Sequence, residues 1–215
     1  LMGDPGTSVV VGRTAPNPAQ LGNTGPFSRT QKVNEVSGPR YLNTCNIFYR
    51  RADVEAVGGF DERFETKGGE DTDLGWRVLD RGGDVTFADN ALVLHDVFAG
   101  SFRSAFKEAV TWRDIPLVAA RHPKRARPLL VHRVFWKKSH EYVLLAVGAM
   151  AAGAVTRNAL PLVGVLPWLW FRIKKSPLDR GKVTRFKYLP HAFVIDAVEV
   201  TTMVRGSVKN RTFVL

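Results

Sequence analysis

Apolar and polar positions change their rhythm near residue 100, and the two halves predict different elements. Residues 8–12 are a short apolar run of strand type. Residues 13–40, rich in Pro, Gly, Asn, Ser and Thr, predict a long loop with one short helix. A loop of that length in a compact domain is a functional or mobile element. Residues 41–51, YLNTCNIFYRR, suit a buried strand, and 52–59, ADVEAVGG, a short helix stopped by glycine. Helical spacing follows from Glu70 to Arg81: Leu74, Val78 and one side of Trp76 turn inward, and Gly82 and Gly83 end the helix. Residues 84–88 and 91–95 predict two strands joined by a tight turn at Asp89 and Asn90, with His95 at a strand end.

Beyond residue 100 the pattern predicts an amphipathic helix over 101–123. Seven cations and no acid follow between Arg121 and Lys138. Residues 142–155 and 159–171 are nearly all apolar, separated by Thr156, Arg157 and Asn158. Each run is shorter than the roughly 20 residues of a spanning helix. A second basic cluster holds Arg172, Lys174, Lys175, Arg180, Lys182, Arg185 and Lys187. The tail predicts an amphipathic helix, a break at Gly206 and a short extended end. Three arrangements suit the apolar pair: a buried hairpin, an in-plane membrane element, or two short spans. Flanking cations with Trp168, Trp170 and Phe171 near one end favour interfacial or re-entrant helices on an anionic cytoplasmic leaflet. The chain thus divides into residues 1–100 and a basic, apolar, helical, membrane-associated region, 101–215.

Charge sharpens this picture. Thirty-one Lys and Arg against 20 Asp and Glu leave a net charge of +11, which calls for an anionic partner. Basic residues flank apolar segments instead of interleaving with exposed aromatics, and no nucleic-acid motif is present. A basic module that binds anionic membrane or nucleic acid without catalysis is the alternative reading. The lone cysteine, Cys45, excludes an internal disulfide and a Cys-rich metal site. No signal peptide opens the chain, and its first residues read as the middle of a domain of a longer protein.

The stretch 68–77, GGEDTDLGWR, crowds Glu70, Asp71 and Asp73 behind two glycines and before Trp76 and Arg77. Acids in a first helical turn are commonly a solvated N-terminus favoured by the helix dipole. Here the glycines would let a ligand approach, Trp76 would stack on a sugar and Arg77 would hold an anion. His95 lies downstream at a strand end, where it would fold back beside the acids. A glycoside hydrolase suits this poorly, because its two carboxylates stand across a cleft and not one helical turn apart.

Asn43, Asn46, Arg50, residues 58–62, Phe64, residues 70–74, Trp76, Arg77 and His95 occur in an order and spacing that resemble the C-terminal half of the catalytic domain of family 2 glycosyltransferases. The resemblance covers roughly residues 8–98; the tail more loosely resembles membrane-associated members that build cell-surface polysaccharides. It implies an α/β fold, the C-terminal part of a Rossmann-like GT-A domain, followed by a mostly helical, membrane-associated segment. It implies an inverting enzyme that transfers a sugar from a nucleotide-sugar donor to a lipid-linked or polysaccharide acceptor in cell-envelope glycan synthesis. Asp71, with Glu70 beside it, matches the catalytic base. Asp73, Trp76, Arg77, Asn46 and Arg50 match an acceptor and diphosphate region, and His95 matches a metal or diphosphate ligand. The implied cofactor is a divalent metal, magnesium or manganese, held mainly by an Asp-x-Asp segment of the family's N-terminal half.

Overall fold

The computed structural model describes residues 3, 6–23, 25–34, 41–174 and 182–215. Lys175 and Arg180 of the second basic cluster lie outside the described residues, as do the side chains of Lys182 and Arg185. Three strands form a mixed sheet in the order β2-β1-β3: β1 (Thr7–Pro16), β2 (Ile47–Tyr49) and β3 (Asp84–His95). Strand β1 is central because its apolar run, Val9, Val10 and Val11, is buried on both faces. It pairs antiparallel with β2 and parallel with β3.

The hairpin expected at Asp89 and Asn90 does not form. Residues 84–95 are one strand, and both of its halves run in the same direction along β1. Asp89, Asn90 and Ala91 bulge out where the register jumps from Gly12–Ala88 to Arg13–Leu92. Asn46 stabilises this bulge, its side-chain amide donating to the carbonyls of Arg13 (2.9 Å) and Ala91 (2.7 Å). Gly12 is required beneath it, since a Cβ there would stand 2.3 Å from the Asn46 amide nitrogen. The strand expected over 41–51 shrinks to β2, because residues 44–46 turn to deliver Asn46 to the bulge.

Helix α1 (Arg51–Ala56) is short and ends at Gly58 and Gly59, both at positive φ. Helix α2 (Glu70–Leu79) packs its Leu74, Trp76 and Val78 face into the sheet core. The single helix expected over 101–123 breaks into α3 (Phe102–Val110), a 3₁₀ turn (Thr111–Asp114) and α4 (Ile115–Arg121), with Pro116 in the first turn of α4. Short α5 (Pro123–Ala126) leads to the apolar pair, α6 (Lys138–Thr156), a 3₁₀ turn (Leu160–Val165) and α7 (Leu166–Lys174). No helix among the described residues is long and apolar enough to cross a membrane.

Helix α8 (Lys182–Lys209) runs through Gly206 without the expected break. The glycine serves packing: a Cβ would stand 2.0 Å from the Arg113 carbonyl oxygen. The chief core crosses residue 100, joining Val9, Val11, Leu42 and Trp76 to Ile115, Val118, Met203 and Val214. A second, smaller core gathers Val143, Ala146, Trp168, Ala192 and Val200. Buried Asp196 ties α7 to α8 by accepting from Trp168 Nε1 (2.8 Å) and Arg172 Nε (2.8 Å). Gly206→Ala is therefore expected to destabilise the protein by about 1–3 kcal/mol, because backbone, not a flexible side chain, opposes the new methyl. A thermal melt checks it: at this chain length each kcal/mol lowers the midpoint by about 2–4 °C.

Candidate active site

The acidic run is split by helical geometry. Asp71 and Asp73, two residues apart, stand about 200° apart around a helix. Helix α2 is fixed in rotation by what precedes it. Asp114, buried in the 3₁₀ turn, accepts from the Glu65 N–H (2.8 Å), the Thr66 N–H (2.7 Å) and the Thr66 hydroxyl (2.8 Å). This draws the loop before α2 against the turn. Gly69 then enters the helix at φ +97°, and a Cβ would stand 2.3 Å from Val118 Cγ2; at Gly68 it would stand 2.6 Å from the Thr111 carbonyl oxygen. The glycine pair was expected to give a ligand room. The structure uses it to seat α2 against α4 and the turn.

One face of α2 points into the protein. Asp73 is fully buried and meets Arg77 Nε at 2.8 Å, Arg121 Nη1 at 3.1 Å and His122 Nε2 at 2.9 Å. Burial pushes its proton affinity up, but His122, Arg77 and Arg121 outweigh this and hold the carboxyl below its ordinary range. Arg77 also donates to the carbonyls of Val57 and Gly59, both at 2.7 Å, so its guanidinium is committed to the C-terminal turn of α1. Trp76 is 3% exposed and meets the edge of the His122 ring. Asp73, Trp76 and Arg77, expected as acceptor or diphosphate contacts, thus lie on the packing side of the helix. Asn46 belongs to the sheet bulge, and Arg50 donates to the Thr7 carbonyl (3.0 Å) at the start of β1. Neither lines the cleft described next.

The other face opens on a cleft of about 640 Å³ lined by Glu70, Asp71, Asn43, Thr44, His95 and Trp112, among others. The structure thus brings Glu70, Asp71 and His95 to one hollow from a helix start and a strand end. Asp71 Oδ1 accepts from the Thr72 N–H at 2.7 Å. Burial raises the proton affinity of Asp71 above the ordinary carboxylate value, against hydrogen bonds from Thr72 and Thr44. Glu70 is likewise raised, chiefly by burial and then by Asp71's charge, and its Oε2 is buried with no hydrogen-bond partner among the described residues. Two carboxyls of raised basicity at an open cleft can take a proton from a bound hydroxyl.

Two neighbours escaped the sequence reading. The Tyr49 hydroxyl is buried without a hydrogen-bond partner among the described residues, and burial together with Asp71's charge pushes it well above the usual phenol range, so it stays protonated. Trp112 reaches the cleft from the 3₁₀ turn. The only early signal for Tyr49 was its place in the aromatic-Arg-Arg strand end; nothing marked Trp112. His95 Nδ1 lies 2.9 Å from the Asp96 carbonyl oxygen and 3.4 Å from the Gln31 N–H. The two contacts ask opposite roles of Nδ1, donor to the carbonyl and acceptor from the N–H, and both hold the ring at the end of β3. Among the described residues, no group of three His, Cys, Asp or Glu side chains is placed to hold a metal ion.

The two faces predict opposite stability effects. Asp73 has a depressed proton affinity, so its stabilisation is present above the ordinary carboxylate range and is lost as pH falls through its lowered value. Asp73→Asn should cost about 3 kcal/mol at neutral pH by stranding its cations. Asp71 has a raised affinity, so its ionised form lowers stability as pH rises through the raised value. Asp71→Asn should therefore raise the melting temperature at neutral pH. Denaturant unfolding of both variants across acidic to neutral pH checks the opposed signs.

The segment that carries α2 is similar to known glycosyltransferases. A family model described as the N-terminal domain of galactosyltransferase matches residues 28–97, the segment that carries α2 and the end of β3. A pre-mycofactocin glycosyltransferase of Mycobacterium tuberculosis, in two strains, is 32% identical over 91 residues, 42% of this chain and 19% of the relative. A chondroitin synthase of Pasteurella multocida is 27% identical over 115 residues, 50% of this chain and 12% of the relative. The chain thus spans less than a fifth of the length of these curated relatives. No solved structure matches the chain. These likenesses, with the mixed α/β architecture, support a GT-A, family 2-like glycosyltransferase domain in the matched segment.

Proposed function

We propose that the protein is an inverting glycosyltransferase in which Asp71 is the general base. The carrying observation is the placement of Asp71 and Glu70 at the start of α2, in an open cleft, with proton affinities raised by burial. The acceptor hydroxyl lies against Asp71, which removes its proton as the oxygen attacks the anomeric carbon of a nucleotide-sugar. The bond to the nucleotide diphosphate breaks on the opposite face, and the configuration inverts. Burial makes the carboxylate a stronger base than one in water, and the helix N-terminus keeps it ionised at neutral pH. Glu70, one residue earlier, orients the hydroxyl. A divalent cation, magnesium or manganese, would supply charge to offset the departing diphosphate, and His95 would be the contribution of this stretch to holding it. The acceptor is a lipid-linked or polysaccharide glycan, and the setting is cell-envelope synthesis at the cytoplasmic face of a membrane.

Membrane association is supported by the apolar pair. Only a stripe of α6 is covered, through Val143, Ala146 and Ala149; Leu144, Leu145, Val147 and Met150 are exposed. Exposure continues through Val155 (84%), Leu160 (73%) and Trp170 (63%). Apolar surface this extensive on a +11 chain fits an anionic leaflet, with the helices lying in it.

In the protein assayed with its nucleotide-sugar donor, Asp71→Asn should lower transfer at least about 100-fold while donor binding persists. Retained turnover removes Asp71 from the mechanism. The acidic limb of the wild-type pH–rate profile should lie above about pH 4, the ordinary carboxylate value. Cosedimentation with phosphatidylglycerol vesicles should weaken about tenfold, or about 1.4 kcal/mol, in Leu145→Glu combined with Val163→Glu. Preference of the wild type for RNA over these vesicles would instead support the non-catalytic basic module.

A further inference from the structure

Two further hollows continue the catalytic cleft toward the exposed apolar helices. The first, of about 520 Å³, adjoins the cleft along Glu108 and Trp112 and is lined by Arg29, Lys137, Lys138, Arg172 and Tyr188, among others. The second, of about 280 Å³, adjoins the first at Phe171 and is lined by Trp170, Tyr142 and Pro167, with Lys174 at its rim. Trp170 and its neighbour Leu166 are exposed parts of the apolar pair.

The middle hollow is a built polar site. Glu199, 8% exposed, accepts from Lys137 Nζ at 2.9 Å and meets His140 Nε2 at 3.0 Å. Lys137 also stands 3.5 Å over the Trp112 ring, which forms part of the wall shared with the catalytic cleft. Arg172 is held by Asp196, and Arg29 pairs with Glu108. Lys138, exposed at the first residue of α6, lines the same hollow, and no ion pair is formed by it among the described residues. With Asp196 counted against Arg172, each carboxylate at the hollow is matched by a cation and the charge of Lys138 is left over, and the N–H groups of the first turn of the 19-residue α6 add to that positive field.

The order of chemistry is therefore apolar, then cationic, then carboxylate and histidine. We infer that the acceptor is a lipid phosphate bearing a sugar: its apolar tail leaves along Trp170 and Phe171, its phosphate sits between Lys137 and Lys138, and its sugar hydroxyl reaches Asp71. This rests on the transferase reading above and narrows its acceptor to the lipid-linked class. An amphiphile with this sequence of groups satisfies all three hollows at once, whereas a free polysaccharide leaves the cationic and apolar hollows without partners.

The test is binding, so that it does not depend on turnover. Tryptophan fluorescence of the intact protein is titrated with farnesyl diphosphate, dihexanoyl phosphatidylinositol, farnesol and inorganic pyrophosphate. At least one of the two lipid phosphates should bind about tenfold tighter than farnesol or pyrophosphate, and which one binds identifies the type of lipid. Lys138→Glu, an exposed change that the fold tolerates, should weaken that binding about tenfold. Arg81→Glu, the same charge change on the exposed turn after α2, and Asp71→Asn should leave it unchanged. Equal binding by Lys138→Glu and wild type, equal weakening by Arg81→Glu, or pyrophosphate or farnesol binding as tightly as both lipid phosphates overturns the inference. Failure here with Asp71→Asn still abolishing transfer rejects the lipid acceptor alone; lipid binding with Asp71→Asn still active rejects the base alone.

Discussion

The buried carboxylate of Asp73 is the interaction on which the rest of the molecule depends. A charge with no exposure to water is tolerable only with close partners, and Asp73 has three: Arg77 on its own helix, and Arg121 and His122 at the end of α4. Through Arg77 the network reaches the carbonyls that end α1, and through Arg121 it reaches Asp61. The loop, three helices and the sheet core are thereby locked in one mutual orientation. That orientation decides where the first turn of α2 faces.

The consequence is a division of labour along four residues. Asp73 spends its charge on cations and has a lowered proton affinity, while Asp71 and Glu70 lie at the cleft with little to offset their burial and have raised ones. Carboxylates so close in sequence are pushed in opposite directions by environment alone. The raised pair is the less stable arrangement, because burial disfavours its charged form. The locked network supplies the rigidity that lets a strained pair persist.

The helical half serves the same end by another route. Its elements are not a separate body, since Ile115, Val118, Met203 and Val214 complete the core begun by β1 and α2. Asp114 anchors the loop that precedes the first turn of α2. Beyond this shared core, α6 and α7 carry their apolar surface outward, where the second core holds only one side of them. The basic, apolar region thus both builds the cleft and presents an exposed apolar surface.

Much of this was legible in the residues. Helix α2, its inward Leu74 and Val78, the glycine stop of α1 and the strand end at His95 follow from local periodicity and backbone chemistry, which act over a few residues. The motif order likewise pointed to Asp71 and Glu70 before any coordinates. What the sequence could not express were the long-range partners. Asp73 and Arg77 resemble site residues in a linear reading because their partners are distant in sequence: Arg121 and His122 for Asp73, and the Val57 and Gly59 carbonyls for Arg77. The bulge at Asp89 to Ala91 looks like a hairpin turn until β1 is seen to pair with both sides, and Gly206 looks like a helix stop until the Arg113 carbonyl is seen against it. Local propensity chose the elements; which face of each met water, core or cleft was settled by contacts between distant segments, because burial and charge pairing are properties of the folded neighbourhood and not of the chain.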